Sequence, residues 1–566
     1  MKIISFKDFS FKYNNLNEYT LTNINLEIEE GEKVLITGRS GSGKSTLAHC
    51  INGLIPYTYK GEIGGEIRVM DQIPAEHTLF EMGSYVGTIL QDQDCQFVGL
   101  SAGEDAAFAL ENDCVPTSEM HERSDAALAL VDMLEHKNIP PDSLSGGQKQ
   151  KVAIAGILAM KAPILLFDEP LANLDPASGK KAMETINMLH DTQHKTILVI
   201  EHRIEDVLEH GFDRVVIIDE GTVAYNGTPD ELLASGKLPE MGLRQPLYVE
   251  MLQFCGAELT AEDEISKIEN TLKYKEQVVK RFREDSFTRK VSSTEIVLNI
   301  ENLCYKYFKE DPYTINDITF QVKKGEMIAV VGNNGAGKST LLKAISGLAK
   351  YQEGHIYYQG ECIDTWSIKK RASSIGYVMQ NPNHMITKTM IADEVAFGPR
   401  NLGFSEEQVD AAVTEALYIC GLEDYRNWPT SALSYGQKKR LTIASILAMG
   451  PKIIIMDEPT AGQDYTSYRE FMLYLSKIKE KGISIILITH DMHLALEYAD
   501  RGVVLSQGRV VQQETMDKIL SDEELIRQAN LKHTSIEKMG RLFGVEDLSS
   551  FIAYFTQRVT GGAEYE

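Results

Sequence analysis

The 566-residue sequence predicts an α/β protein made of two tandem copies of one unit. The first observation is self-similarity at a long period, the mark of a duplication. Gly38-Arg39-Ser40-Gly41-Ser42-Gly43-Lys44-Ser45-Thr46 returns as Gly332-Asn333-Asn334-Gly335-Ala336-Gly337-Lys338-Ser339-Thr340. Leu144-Ser145-Gly146-Gly147-Gln148-Lys149 returns as Leu433-Ser434-Tyr435-Gly436-Gln437-Lys438, and the apolar run ending Asp168-Glu169-Pro170 as the one ending Asp457-Glu458-Pro459. The offsets are 294, 289 and 289 residues, with 288 between His202 and His490, so order and register are kept. The second observation is that short, wholly apolar runs alternate with amphipathic helical stretches. These runs are Lys33–Thr37, Met327–Val331 and those before Asp168, Asp457, His202 and His490. Runs without polar alternation suit parallel strands buried on both faces.

Composition bounds what such a protein does. With 82 Asp and Glu against 57 Lys and Arg, the net charge is −25, which argues against a nucleic-acid-binding body. The surplus is uneven: 28 basic and 48 acidic residues up to residue 300, then 29 and 34. It is either a solubility surplus or an acidic face for a basic partner. The start, Met1-Lys2-Ile3-Ile4-Ser5-Phe6-Lys7-Asp8, is too polar for a signal peptide, and no run approaches the ~20 apolar residues of a membrane span. Seven scattered cysteines without a CxxC pair fit a reducing cytosol and exclude a disulfide framework or iron–sulfur signature. The expectation is a cytosolic protein, or one bound to something that is not. The expected division is 1–241, a charged helix-prone connector at 242–294, 295–511, and a helical tail at 512–566 with Leu520, Leu525, Ile526 and Leu531 apolar.

GxxxxGK[ST] after a strand and before a helix is a phosphate-cradling loop. Its glycines let backbone N–H groups turn inward around an anion, and the following helix adds its positive end. Lys44 and Lys338 can neutralise β- and γ-phosphates, while Ser45 and Ser339 can ligate Mg²⁺. Asp168 and Asp457 end apolar strands, which places them at the sheet's C-terminal edge beside that ion. Glu169 and Glu458 follow directly and are candidates to orient or deprotonate an attacking water, the alternative being solvated strand-end charges. His202 and His490 also end apolar runs and are either γ-phosphate contacts or satisfied structural residues. Gln91 and Gln380 end two further strand-like runs.

These residues resemble the ATP-binding-cassette ATPases, and the resemblance covers nearly the whole chain; Leu144-Ser145-Gly146-Gly147-Gln148 is that family's signature motif. The resemblance implies two tandem P-loop NTPase domains, each with a mainly parallel core sheet, an antiparallel β part and a helical subdomain. It implies ATP and Mg²⁺ as cofactors and head-to-tail pairing of the two cassettes within the chain. One site would combine Gly38, Ser40, Gly41, Ser42, Gly43, Lys44, Ser45, Thr46, Gln91, Asp168, Glu169 and His202 with Ser434, Gly436 and Gln437. The other would combine Gly332, Asn334, Gly335, Ala336, Gly337, Lys338, Ser339, Thr340, Gln380, Asp457, Glu458 and His490 with Ser145, Gly146, Gly147 and Gln148. Metal ligands would be Ser45, Gln91 and Asp168, and Ser339, Gln380 and Asp457. Tyr13 and Tyr307, each 25 residues before its loop, match the adenine-stacking position or are strand-packing tyrosines. Two departures stand out: Tyr435 replaces a signature glycine and either crowds the γ-phosphate or points away, and Gln463 stands where the first half has Leu174.

A finer resemblance follows each glutamine. Gln91-Asp92-Gln93-Asp94 with Glu104-Asp105-Ala106-Ala107-Phe108, and Gln380-Asn381-Pro382-Asn383 with Asp393-Glu394-Val395-Ala396-Phe397-Gly398, are similar to energy-coupling-factor importers of vitamins and metal ions. That resemblance implies an ATPase at the cytoplasmic face of the cell membrane. Its partners would be a transmembrane coupling subunit, gripped partly by Asp92, Asp94, Glu104 and Asp105, and a membrane substrate-binding subunit. Two rivals remain: the fused ATPase of another importer class, such as sugar importers, and a soluble twin-cassette translation or repair ATPase.

Overall fold

A computed structural model describes residues 1–90, 96–172, 174, 176–285, 294–460 and 463–560. Gln91, Asp92 and Asp94 lie outside the described residues. The chain divides into two compact units, Met1–Lys273 with Asp464–Thr466, and Tyr274–Gln463 with Ser467–Glu566.

In the first unit the strands are β1 (Lys2–Tyr13), β2 (Leu21–Glu29), β3 (Lys33–Thr37), β4 (Gly61–Val69), β5 (Val86–Ile89), β6 (Ile164–Asp168), β7 (Thr196–Ile200), β8 (Arg214–Asp219) and β9 (Thr222–Gly227). They form two sheets, ordered β5-β6-β7-β3-β8-β9 and β2-β1-β4. In the first sheet β5 through β8 are parallel and β9 closes the edge antiparallel to β8. Every residue of β3 and β7 is buried, including Lys33, Thr37 and Thr196 at the ends of their apolar runs. The second sheet is antiparallel. Its Phe9 and Phe11 share one core with Val34 and Ile36 of β3 and with Leu47 and Ile51 of the helix Lys44–Ile51. The helices Ala102–Asn112, Thr117–Leu130 and Gly146–Met160 pack on one another as the helical part.

The second unit repeats this plan with β10 (Ile296–Tyr305), β11 (Ile315–Lys323), β12 (Met327–Val331), β13 (Glu353–Tyr358), β14 (Glu361–Cys362), β15 (Ile375–Val378), β16 (Ile453–Asp457), β17 (Ser484–Ile488), β18 (Arg501–Ser506) and β19 (Arg509–Glu514). The orders are β15-β16-β17-β12-β18-β19 and β11-β10-β13-β14. The helices Ile391–Leu402, Glu406–Ile419 and Tyr435–Leu447 form its helical part. The predicted fold class therefore holds in both halves.

The charged stretch between the halves behaves as two pieces. Its first part lies against the first unit: Tyr248 donates to the Ile265 carbonyl at 2.7 Å, and the Ser266 N–H donates to Asp230 at 2.7 Å. Its last helix, Lys275–Glu284, packs with the C-terminal helix Leu548–Phe555 of the second unit. There the Phe282 ring lies 5.4 Å from both Phe551 and Tyr554, and the Tyr554 hydroxyl donates to Asp285 at 3.0 Å. In the tail Leu520, Leu525, Ile526 and Leu531 are all buried. Among the described residues no helix is long and apolar enough to cross a membrane.

Candidate functional site

Each glycine-rich loop leaves the central strand of its sheet and turns into a helix beginning at Lys44 or Lys338. Gly38 has φ +149°, and a Cβ there would lie 2.0 Å from the Ile218 carbonyl oxygen; at Gly332 it would lie 2.2 Å from that of Leu505. Glycine is therefore required at both loop entrances. The buried Lys44 ammonium donates to the carbonyls of Gly38 (3.0 Å) and Arg39 (2.6 Å), and Lys338 to those of Gly332 (2.8 Å) and Asn333 (2.9 Å). Burial pulls Lys44 down to about 8, although Glu169 and Asp168 both favour its charge. Ser45 and Ser339 open onto the surface, whereas Thr46 and Thr340 are buried and meet the hydroxyls of Tyr13 (3.1 Å) and Tyr307 (3.0 Å). Tyr13 is half-buried with its ring edge on Phe11 at 4.8 Å; Tyr307 is exposed.

Asp168 and Asp457 end β6 and β16, where the next residue, Glu169 or Glu458, takes a positive φ of 49° or 45°. Left-handed backbone at a non-glycine residue costs about 1–3 kcal/mol and is retained where the surrounding structure demands it. In each case the glutamate meets a histidine: Glu169 Oε1 lies 2.8 Å from His202 Nε2, and Glu458 Oε1 lies 2.9 Å from His490 Nε2. His202 Nδ1 is 3.1 Å from the Gly38 carbonyl, tying this pair to its loop. Gln380 donates to Glu458 Oε2 at 3.3 Å.

Burial, then the neighbouring Glu169, pushes Asp168 up to about 6. Asp457 is also raised by burial, against which a Ser339 hydrogen bond acts. The serine and aspartate proposed to share a cation thus already meet in the second unit. Hard oxygen donors held at a strand end suit Mg²⁺, which takes carboxylate, hydroxyl and water ligands.

Ser145 and Ser434 each cap a helix. Their hydroxyls accept from the N–H of Gln148 (3.3 Å) and Gln437 (3.2 Å), whose side chains accept from the serine N–H at 2.9 Å. This reciprocal box explains the serine–glutamine spacing, and it commits both glutamine side chains to the cap. Gly436 would meet nothing within 4 Å if it carried a Cβ, and Gly146 only Leu174 at 3.6 Å. The Tyr435 ring folds back along its own helix, with the Lys439 ammonium 5.0 Å from its centroid.

The sequence matches the ABC transporter family over residues 21–172 and 315–461, covering both loops, both signatures and both glutamates. The chain belongs to the ABC transporter family. As an ABC transporter ATP-binding protein it binds and hydrolyses ATP. Relatives carrying the name ABC transporter ATP-binding protein include one from Clostridium perfringens, 48% identical over 98% of both chains. Another, from Vibrio vulnificus strain CMCP6, is 45% identical over 98% of this chain and 96% of its own. Residues 235–305 match a second family, described as ATP-binding cassette cobalt transporter. Among solved structures, cbiO1 from Clostridium perfringens, described as part of the ABC transporter complex cbiONQ, is 35% identical. It covers 44% of this chain and 100% of its own, with a TM-score of 0.39.

Sequence reasoning missed several residues of these ABC cassettes. Buried Gln150 and Lys439, at matching positions of the two signature helices, donate to the carbonyls of Pro170 (3.0 Å) and Pro459 (2.7 Å), beside the glutamates. Their matching place, two residues after each signature glutamine, was the available signal. Tyr377 hydrogen-bonds Asp457 and is pushed up to about 12, by burial first and then by that carboxylate. Glu201, fully buried before His202, is pushed up to about 8 by burial.

Proposed function

We propose that this ABC ATPase powers a membrane importer of the energy-coupling-factor type for a metal ion, a vitamin or a cofactor precursor, with cobalt the leading substrate. The observation that carries the importer class is the cobalt-transporter match at residues 235–305, which overlaps the connector proposed at 242–294. In this reading the protein sits at the cytoplasmic face of the membrane, bound to a transmembrane coupling subunit and a membrane substrate-binding subunit. The first half's surplus of acid, including Asp92, Asp94, Glu104 and Asp105, supplies the docking charge.

Each cassette carries one nucleotide site. Lys44 and Lys338 hold the phosphates with the loop N–H groups. Glu169 and Glu458 orient and deprotonate the attacking water, while His202 and His490 hold those carboxylates in place and reach the γ-phosphate. Ser45, Gln91 and Asp168, and Ser339, Gln380 and Asp457, would hold Mg²⁺, which when bound neutralises charge on the β- and γ-oxygens.

The test is reconstitution with the membrane proteins that co-purify with the chain, followed by ATP-dependent uptake of Co²⁺, Ni²⁺ and a panel of vitamins. Uptake of one of these supports the reading. Co-purification with ribosomes and not with membranes overturns it.

A further inference from the structure

The hairpin β13–β14 of the second cassette gathers an imidazole, a thiol and a carboxylate. One ligand atom each from His355, Cys362 and Asp364 lies within 4.8 Å of the others, the one such group of three among the described residues. The local chain explains the gathering. Gln359 and Gly360 have φ +49° and +84°, the tight turn that sets Tyr358 opposite Glu361 and Tyr357 opposite Cys362. His355 and Tyr357 share a strand face, so Cys362 falls on the face of His355 and diagonal to it. Asp364 is held by donors outside the triad: its Oδ1 accepts from the Ile356 N–H at 3.0 Å and from the Tyr351 hydroxyl. That leaves Oδ2 toward His355 Nδ1, 2.7 Å away. Orientation by such outer partners is what metal-ligating carboxylates receive in built sites.

We propose that His355, Cys362 and Asp364 bind one divalent transition-metal ion of the zinc and cobalt class, with water completing the coordination. A nitrogen, sulfur and oxygen set selects such ions over Mg²⁺ and Ca²⁺, which take oxygen ligands. Bonds of about 2.0 Å to N and O and about 2.3 Å to S, at tetrahedral angles, place the ligand atoms about 3.3–3.5 Å apart. His355 and Asp364 therefore need to part by about 0.6 Å. Binding releases the thiol proton to solvent. His355 and Cys362 are exposed, so the ion enters from water.

The first cassette supplies an internal control. Its register pairs Lys7 with Glu66 where the second pairs Glu301 with His355, and Val69 with Gln72 where the second pairs Tyr358 with Glu361. Glu66, Ile73 and Ala75 thus stand at the three positions, and two of them offer no ligand.

The experiment is Co²⁺ titration of the metal-free, nucleotide-free full-length chain, read as thiolate-to-cobalt charge-transfer absorption. One equivalent should saturate the band and Zn²⁺ should bleach it. Cys362→Ser should abolish it, and His355→Ala should weaken binding tenfold or more. Absence of the band, or its survival in Cys362→Ser, overturns the proposal. A second readout needs no variant: Zn²⁺ should protect Cys362 but not exposed Cys114 from alkylation, mapped by peptide mass. Equal labelling of Cys362 with and without Zn²⁺ also overturns it.

Discussion

In the first cassette Asp168 and Glu169 share a strand end with fully buried Glu201, which follows the neighbouring strand. In the second, Asp457 and Glu458 keep the same backbone, but neutral Thr489 stands where Glu201 does, and Tyr377 stands where the first has Thr88. The Tyr377 hydroxyl bonds Asp457, while Thr88 meets Asn52 at 3.3 Å. The signature helices differ likewise, Gln150 against Lys439 under Tyr435. Duplication has preserved the left-handed glutamates and their histidines to within 0.1 Å of contact distance, 2.8 against 2.9 Å. What surrounds them has diverged. Geometry that backbone and chemistry both require is copied, whereas the local charge balance, set by single side chains, drifts.

The largest expected effect asks whether the two centres are equivalent in chemistry. Loss of a general base typically costs 10²–10⁴-fold. Glu169→Gln and Glu458→Gln should each lower steady-state ATP hydrolysis at least about tenfold, and the double variant by about 10²–10⁴-fold. A single variant with undiminished turnover would remove that site from catalysis and make the cassettes functionally unequal.

Glu201 provides the second test, in stability. Its carboxyl is raised from 4.5 to about 8, so its contribution is full below the unfolded value and is lost as pH rises through the folded one. Between about pH 6 and about pH 9 the wild-type melting temperature should fall relative to that of Glu201→Gln. The gap should be a few degrees, at about 2–4 °C per kcal/mol. Thr489→Glu should transfer the same pH dependence to the second cassette. Parallel melting curves for wild type and Glu201→Gln would sink the electrostatic distinction.

The smallest effect concerns the signature. Tyr435→Gly, which restores the first cassette's pattern, uncovers Lys439 and should change ATPase rate less than about tenfold, or about 1.4 kcal/mol in barrier. A larger change would mean that the ring contacts nucleotide.

Much of this was legible in the sequence because the residues concerned act locally. The glycines, the lysine after them, the apolar strands ending at Asp168 and Asp457, and the signature motif all declare themselves within a few residues. Tyr377, Glu201, Gln150 and Lys439 do not. They matter because parallel strands and a helix bring them beside carboxylates tens of residues away, and a buried acid among apolar neighbours looks in sequence like a strand end. The seating of the connector helix was hidden for another reason. Lys275–Glu284 presents so many charges that Phe282 and fully buried Val278, which seat it, pass unnoticed.

That seating has a consequence for how the protein is made. Asp285 and its hydrogen-bond partner Tyr554 are 269 residues apart. At about 5–20 residues per second, ribosomal synthesis leaves this helix without its aromatic partners for roughly 13–54 s. Throughout that interval the nascent chain carries an amphipathic segment whose Phe282 lacks Phe551 and Tyr554. The acidic and basic side chains around it then serve as its protection against aggregation.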